Sequence, residues 1–492
     1  MQAFSALKTS AFAIDTNELR SLIGKEGKVG RDSLTPDSRT ALYYKDGGQF
    51  LWVTRQGVTP MADTLVSLLH RIGDIGLSEK SFKVEAIEEN LQRFKLLDFD
   101  EKHPATAIAA QLEYQLTNSY LRYVAGQRYG FVNPKTAMNY VESKPDSLGN
   151  VKRKFVNLFD TPVLRPDEAF YQTAFRKIQR DSVGGMMREV EPQSDLYKNL
   201  RKMLPTATDD AARKRVLVNM ERCRWQEKTP MPSKGRRVVV NIPAFMLYAF
   251  GPDSTMEMRI GCGKTTTRTP LLTSAIEYMQ VNPEWSIPMS IIRNDVAAHA
   301  GDSSYFARHR YYISDGTGKK ISPRSVSSAM LTSGKYRVAQ DGGRGNSLGR
   351  IVFRFKNNFS VYLHDTSTPG FFQNAWRGVS HGCVRVQRPF DLARFLLGNT
   401  ADDWTLDKIR ISMDIPPVTE QGRDYIRSHS QAEGENGRKL PHRLVSTLQV
   451  TPHVPLYIIY YTLYPDRNGV ILTHPDVYGY DEAVWRHLKN YI

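Results

Sequence analysis

The hydrophobic period of this chain changes at 227–235, where two prolines and a glycine interrupt it and read as a linker. Before the break, apolar residues recur at helical spacing. Leu65, Leu68, Leu69 and Ile72 run up to a stop at Gly76, a second helix spans 84–96, and Ile108, Leu112, Tyr114, Leu116 and Leu121 follow Pro104. Residues 127–165 read as loop, with helical patterns again over 166–180, 194–204 and 208–224. After the break, 237–242, 245–250 and 256–261 carry the short apolar runs of strands. The expected fold class is therefore α+β, a mainly helical domain followed by a β-rich one. The expected boundaries are a partly disordered lead-in over 1–40 and a helical scaffold over 41–226. The β-rich domain takes 236–400 with 449–480, joined by an irregular connection over 401–448, and 481–492 forms a C-terminal helix packing on the scaffold.

Within the β-rich part, Ser380-His381-Gly382-Cys383-Val384-Arg385 has the composition of a nucleophilic thiol site. Such a thiol needs a base, donors for an oxyanion and room to approach a carbonyl. Ser360-Val361-Tyr362-Leu363 reads as a strand that delivers His364 at its end, and Val384-Arg385-Val386 reads as another. Gly382 lets the backbone come close to a substrate. Pro389 then opens a short helix that stops at Gly398. Thiol and imidazole are expected on neighbouring strand ends. Cys223, in a helical pattern, and Cys262, between glycines, read as small packed residues, and three cysteines cannot make a disulfide framework. A zinc site is not expected, because no second cysteine or compact histidine pair completes a tetrahedral set around His364, His381 and Cys383. No cofactor is expected.

The pattern around His364 and Cys383 resembles the L,D-transpeptidases of bacterial cell walls, which carry a YkuD-type catalytic domain. Further matches are similar to the larger periplasmic branch typified by YcbB: 237–243, Gly263-Lys264 with Thr269-Pro270, 282–288, Tyr336-Arg337 with Gln340, and 346–349. The likeness is specific over about 215–400 and returns near 454–481. It implies Cys383 as nucleophile, His364 as general base, and Ser380, His381 and Gly382 as residues that shape the site. Backbone N–H groups at and beside the cysteine would hold the oxyanion. Arg385, Tyr362, Trp285, Arg337 and Asn346 are the implied substrate contacts. The Ser-, Gly- and Arg-rich stretch 294–335 matches an insertion that caps the active site, and its weak periodicity suggests a mobile flap. The small peptidoglycan-binding module of that branch is missing, since 200–215 leaves no room for it and has no Gly-Asp-Gly signature.

The implied activity is formation of 3→3 cross-links between peptidoglycan stem peptides, by way of a Cys383 thioester, in the periplasm or cell envelope, with carbapenems as acylating inhibitors. Two other readings stand beside it: a wall-cleaving cysteine endopeptidase or carboxypeptidase, and a wall-binding scaffold without catalysis. A net charge of +16 favours anionic partners. The basic residues are scattered and no nucleic-acid motif stands out, so nucleic acid is not an expected partner. The sequence as it begins has no basic leader before an apolar stretch, so export or membrane anchoring would depend on a segment outside it.

Overall fold

The computed structural model of this protein describes residues 10–145, 151–252, 254–429 and 443–492. The chain divides into two compact units, Met1–Pro230 with Tyr461–Ile492, and Met231–Tyr460.

The first unit is helical and is built around the 25-residue helix Ala105–Tyr129, whose residues are nearly all buried. Burial on every side explains why this helix carries no single apolar stripe. Its Glu113 carboxyl is buried where four donors meet it: the N–H groups of Leu51, Trp52 and Val53 at 2.9, 2.8 and 2.6 Å and the Tyr44 hydroxyl at 2.7 Å. The lead-in expected over 1–40 is corrected here. Helices Thr16–Glu26 and Pro36–Lys45 occupy its described part, and residues 1–9 lie outside the described residues. Asp15 accepts the Glu18 N–H and Thr35 the Ser38 N–H as N-caps, and Leu19 and Ile23, one turn apart, are buried. Three apolar residues in a polar run, two of them buried, are too few to register as a period, yet enough to seat a helix. Residues 127–165 also hold more than loop, with a helix at Pro134–Met138 and paired strands Tyr140–Pro145 and Val151–Val156. The terminal helix Tyr480–Leu488 packs on Asp210–Arg224 and Pro134–Met138 of this unit.

Nine strands make the main sheet of the second unit: β1 Arg237–Asn241, β2 Met246–Phe250, β3 Thr255–Gly263, β4 Leu272–Val281, β5 Ile351–Phe355, β6 Leu363–His364, β7 Gly378–Ser380, β8 Val384–Val386 and β9 Thr447–Ile459. Their order is β7-β3-β8-β6-β5-β4-β9-β1-β2, and β2 also pairs β3, which closes the strands from β3 round to β2 into a ring. Closure leaves few free edges. β9 is inserted between β4 and β1. It starts at Thr447, earlier than the apolar run at 454 suggests, because Leu448 and Val450 stand among polar residues and Pro452 interrupts the stretch. The unit ends at Tyr460, so 461–480 lie with the helical unit and not with the ring. Nor is 401–448 irregular: helices Asp403–Ser412 and Glu420–Ser428 lie there, both capped by side chains, while 430–442 fall outside the described residues.

The stretch 294–335 lies within a small folded lobe. Strands Trp285–Ser286, Tyr311–Ser314, Lys320–Ile321 and Arg337–Gln340 form a four-stranded sheet separate from the ring. Short helices enclose a core that includes Ile292, Phe306, Ile313, Leu331 and Val338. The expectation of a segment with little to anchor it is therefore corrected. Helices of five or six residues are too short to show a period, so their apolar residues look scattered in the sequence.

Candidate active site

Strand register builds the site. β6 and β8 pair in parallel, with Leu363 opposite Val384 and His364 opposite Arg385. Because side chains alternate along a strand, Leu363 and Val384 face the core while His364 and Arg385 share the other face. One step back, Tyr362 and Cys383 fall on that same face. The Tyr362 carbonyl accepts the Val384 N–H at 2.9 Å, which extends the ladder to them. β5 runs antiparallel to β6, and its Arg354 comes round to lie over the Tyr362 ring, 4.0 Å from the centroid. The Arg354 Nε donates to Gln280 at 2.8 Å.

The loop before β8 is held by its own hydrogen bonds. The Ser380 hydroxyl donates to the Cys383 carbonyl at 2.6 Å and accepts the Gly382 N–H at 3.0 Å. Gly382 sits at φ +125, a conformation L side chains rarely adopt, which explains the glycine between histidine and cysteine. Thr269 donates to the Gly382 carbonyl at 2.8 Å, and the Thr267 hydroxyl and Lys264 N–H reach the Ser380 carbonyl at 2.9 and 3.0 Å. Two of the backbone N–H groups beside the cysteine are thus already used, that of Gly382 by Ser380 and that of Val384 by Tyr362. The N–H of Cys383 itself has no partner among the described residues and is the donor available for an oxyanion.

Burial pushes the Cys383 thiol above its usual range, while the Tyr362 N–H and the Arg354 and Arg385 guanidinium groups favour the thiolate. The thiol points towards the Ser360 carbonyl at 3.9 Å. His364 is buried, and burial, aided by the charge of Arg385, brings its pKa down to about 3. Its Nδ1–H donates to the Asp365 carbonyl at 2.5 Å, so the neutral ring keeps its lone pair on Nε2. The Asp365 and Leu348 carbonyls both favour the protonated ring. His381 is exposed, and burial of part of its ring with Lys264 and Arg385 lowers its pKa. The Arg385 guanidinium lies 5.6 Å over the Phe371 ring, and its buried Nε has no partner. No carboxylate pairs with it among the described residues.

The structure brings together Cys383, His364, Ser380, Gly382, Arg385 and Tyr362, with His381 at the rim. Trp285 and Arg337 belong to the lobe, and Asn346 to the turn that leads into β5. Trp285 pairs with Gln340 in the lobe sheet and packs on the lobe core. Arg337 forms an ion pair with Glu284 and donates to Ser286 at 3.1 Å. Asn346 is fully buried: its amide donates to the carbonyls of Pro283, Gln340 and Asp341 and its oxygen accepts the Leu348 N–H at 2.7 Å. With donors and acceptor all engaged, Asn346 ties a turn together and has nothing left for a ligand. Arg354 was not singled out in the sequence, although a charge inside the apolar run 351–355 was a signal that it faces away from the core. Among the described residues no three His, Cys, Asp or Glu side chains are grouped to hold a metal ion.

Residues 235–411 match the YkuD family, described as the L,D-transpeptidase catalytic domain, and residues 37–204 match the Scaffold domain family. The chain thus carries a match to an L,D-transpeptidase catalytic domain, with a match to a scaffold domain ahead of it. A Haemophilus influenzae protein provisionally named an L,D-transpeptidase is 25% identical over 341 residues, covering 67% of this chain and 62% of its own length. An L,D-transpeptidase from Mycobacterium smegmatis, 15% identical, covers 32% of this chain and 52% of its own with a TM-score of 0.19. The Ldtfm–avibactam carbamoyl enzyme, 10% identical, covers 54% and 71% with a TM-score of 0.17. Scores that low carry no structural argument.

Proposed function

We propose that this protein is a peptidoglycan L,D-transpeptidase of the YcbB-like branch that forms 3→3 cross-links in the cell envelope. The observation that carries the reading is the single strand face holding Cys383, His364, Arg354 and Arg385 within a YkuD domain. His364 takes the Cys383 proton, and the thiolate attacks the carbonyl carbon at the L-centre of the diamino acid in a donor tetrapeptide stem. The Cys383 N–H and neighbouring guanidinium charge stabilise the developing oxyanion. The C–N bond to the terminal D-alanine then breaks, its amine takes the proton from the imidazolium, and a thioester remains on Cys383. The side-chain amine of a second stem attacks that thioester, returns the thiol and completes the cross-link. Arg385, half-buried and without a carboxylate paired to it among the described residues, suits a donor-stem carboxylate, since a planar guanidinium grips both oxygens. Carbapenems acylate the same thiol.

Product analysis on purified disaccharide–tetrapeptides tests this. Dimers linked between two diamino acids are expected. Exclusive release of tripeptide stems would instead assign a carboxypeptidase, and cleavage of pre-formed dimers an endopeptidase.

A further inference from the structure

The paired strands Tyr140–Pro145 and Val151–Val156 leave the helical unit as a sheet of their own, and among the described residues no third strand joins them. The base of this hairpin is fixed. The Asn139 side-chain oxygen accepts the Leu158 and Phe159 N–H groups at 2.7 and 2.8 Å, and its amide donates to the Phe159 carbonyl at 3.2 Å. Leu158 and Phe159 are buried, and the Phe159 ring meets Trp225 edge to face at 5.8 Å. Above that base the apolar residues stand in the open: Tyr140, Val141, Val151 and Phe155 are 46, 55, 65 and 62% exposed. A two-stranded hairpin is marginal in water by itself, and apolar side chains grouped at a surface mark a place of contact.

Register sorts these residues into two faces. Val141 stands opposite Phe155 and Ser143 opposite Arg153, and alternation along the second strand puts Val151, Arg153 and Phe155 on one face. Tyr140, Glu142 and Lys154 take the other. The two strands carry Lys144, Lys152, Arg153 and Lys154 against Glu142 alone. We propose that this hairpin docks the helical unit on an anionic lipid surface, with Val141, Val151 and Phe155 entering the boundary between headgroups and acyl chains and Arg153 and Lys154 meeting lipid phosphates. Charge and apolarity together select that occupant. A second copy of the hairpin would bring an excess of three positive charges against three more. A glycan strand presents hydroxyl groups, which leave exposed valine and phenylalanine side chains without a counterpart. An anionic bilayer supplies both halves, hydrocarbon for the apolar face and negative charge for the basic residues, whose long stems reach back to the headgroups.

The test is co-sedimentation of the full chain with vesicles of phosphatidylcholine alone and of an equal mixture of phosphatidylcholine and phosphatidylglycerol. Binding to the mixed vesicles is expected, weakening as salt is added. Arg153→Ala with Lys154→Ala is expected to lower the partition by roughly 10- to 30-fold, the share of two basic residues at an anionic leaflet. Val141→Ser with Phe155→Ser leaves the charge untouched and is expected to lower it by about 10-fold or more, through the apolar area withdrawn from lipid. A chain of net charge +16 can adsorb to phosphatidylglycerol anywhere on its surface, so binding unaltered by the Val141 and Phe155 substitutions overturns the proposal. Equal binding to phosphatidylcholine alone, or binding to neither, overturns it as well. So does a dimer without lipid, or binding to isolated peptidoglycan, that the same two substitutions abolish. Should that pair of substitutions lower the thermal unfolding transition, Phe155→Trp decides. Quenching by brominated acyl chains beyond that of the unmutated protein supports the docking, and no added quenching overturns it.

Discussion

Cys383 and His364 are held in forms that suit opposite ends of one proton transfer, a thiol made reluctant to ionise and a ring kept neutral by burial. Replacement of Cys383 by Ala or Ser is expected to abolish carbapenem acylation, because serine's far higher pKa leaves too little nucleophile for this base. His364→Ala should slow acylation by roughly 10²–10⁴-fold, the range of a general base, and exposed His381→Ser should cost much less. The reverse ranking in acylation rate would mean that the base is misassigned. The His364 shift also has a sign for stability. Its folded pKa of about 3 lies below the ordinary 6.5, so in that window the unfolded chain binds the extra proton and stability falls as pH falls. His364→Gln should flatten this slope in urea midpoints measured from neutral pH downward, and an unchanged slope contradicts a buried neutral ring. The grouping of Cys383, His364, Ser380, Gly382, Tyr362 and Arg385 in space was legible in the sequence because one local motif and two strand ends bring them together. Asn346 and Arg337 were not, since their partners are carbonyls and a carboxylate that only the folded turn and lobe sheet supply.

At the scale of elements, the ring strands 237–241, 246–250 and 255–263 stand close to where their short apolar runs put them, and β8 begins at the residue after the cysteine. Capped polar helices, such as Thr16–Glu26 and Glu420–Ser428, escaped notice because their stabilising contacts are caps and one or two buried side chains. The lobe was legible as an insertion but not as a folded body. Its core gives it a separate stability: Phe306→Ala, at a fully buried position, should cost about 3–5 kcal/mol. In hydrogen exchange the lobe amides should lose protection while those of the ring keep theirs. A loss spread equally over ring and lobe would show that the two fold as one. Shortening the lobe between its sheet strands should leave acylation by a small β-lactam intact and move products from dimers towards tripeptide stems, because a closed cap excludes water from the thioester. An unchanged dimer-to-hydrolysis ratio would separate the lobe from acceptor choice.

Over the whole molecule, the chain leaves the ring at Tyr460 and ends in the unit where it began. A buried ion pair fastens that return: Arg222 meets Asp481 at 2.6 Å, and Thr462 donates to the same carboxylate at 2.7 Å. Asp481→Ala leaves a buried guanidinium short of its partner and should destabilise the helical unit by about 3–5 kcal/mol. Carbapenem acylation of Cys383, in the other unit, should persist below the lowered unfolding transition, and parallel loss of both would contradict two separate units. The most direct measurement of the central claim is intact-protein mass spectrometry of the chain mixed with a purified disaccharide–tetrapeptide and quenched in acid. The account predicts an adduct on Cys383 equal to the donor stem less its terminal D-alanine, absent in Cys383→Ala. Cross-linked product formed by the Cys383→Ala protein, or an adduct that maps to another residue, would contradict it.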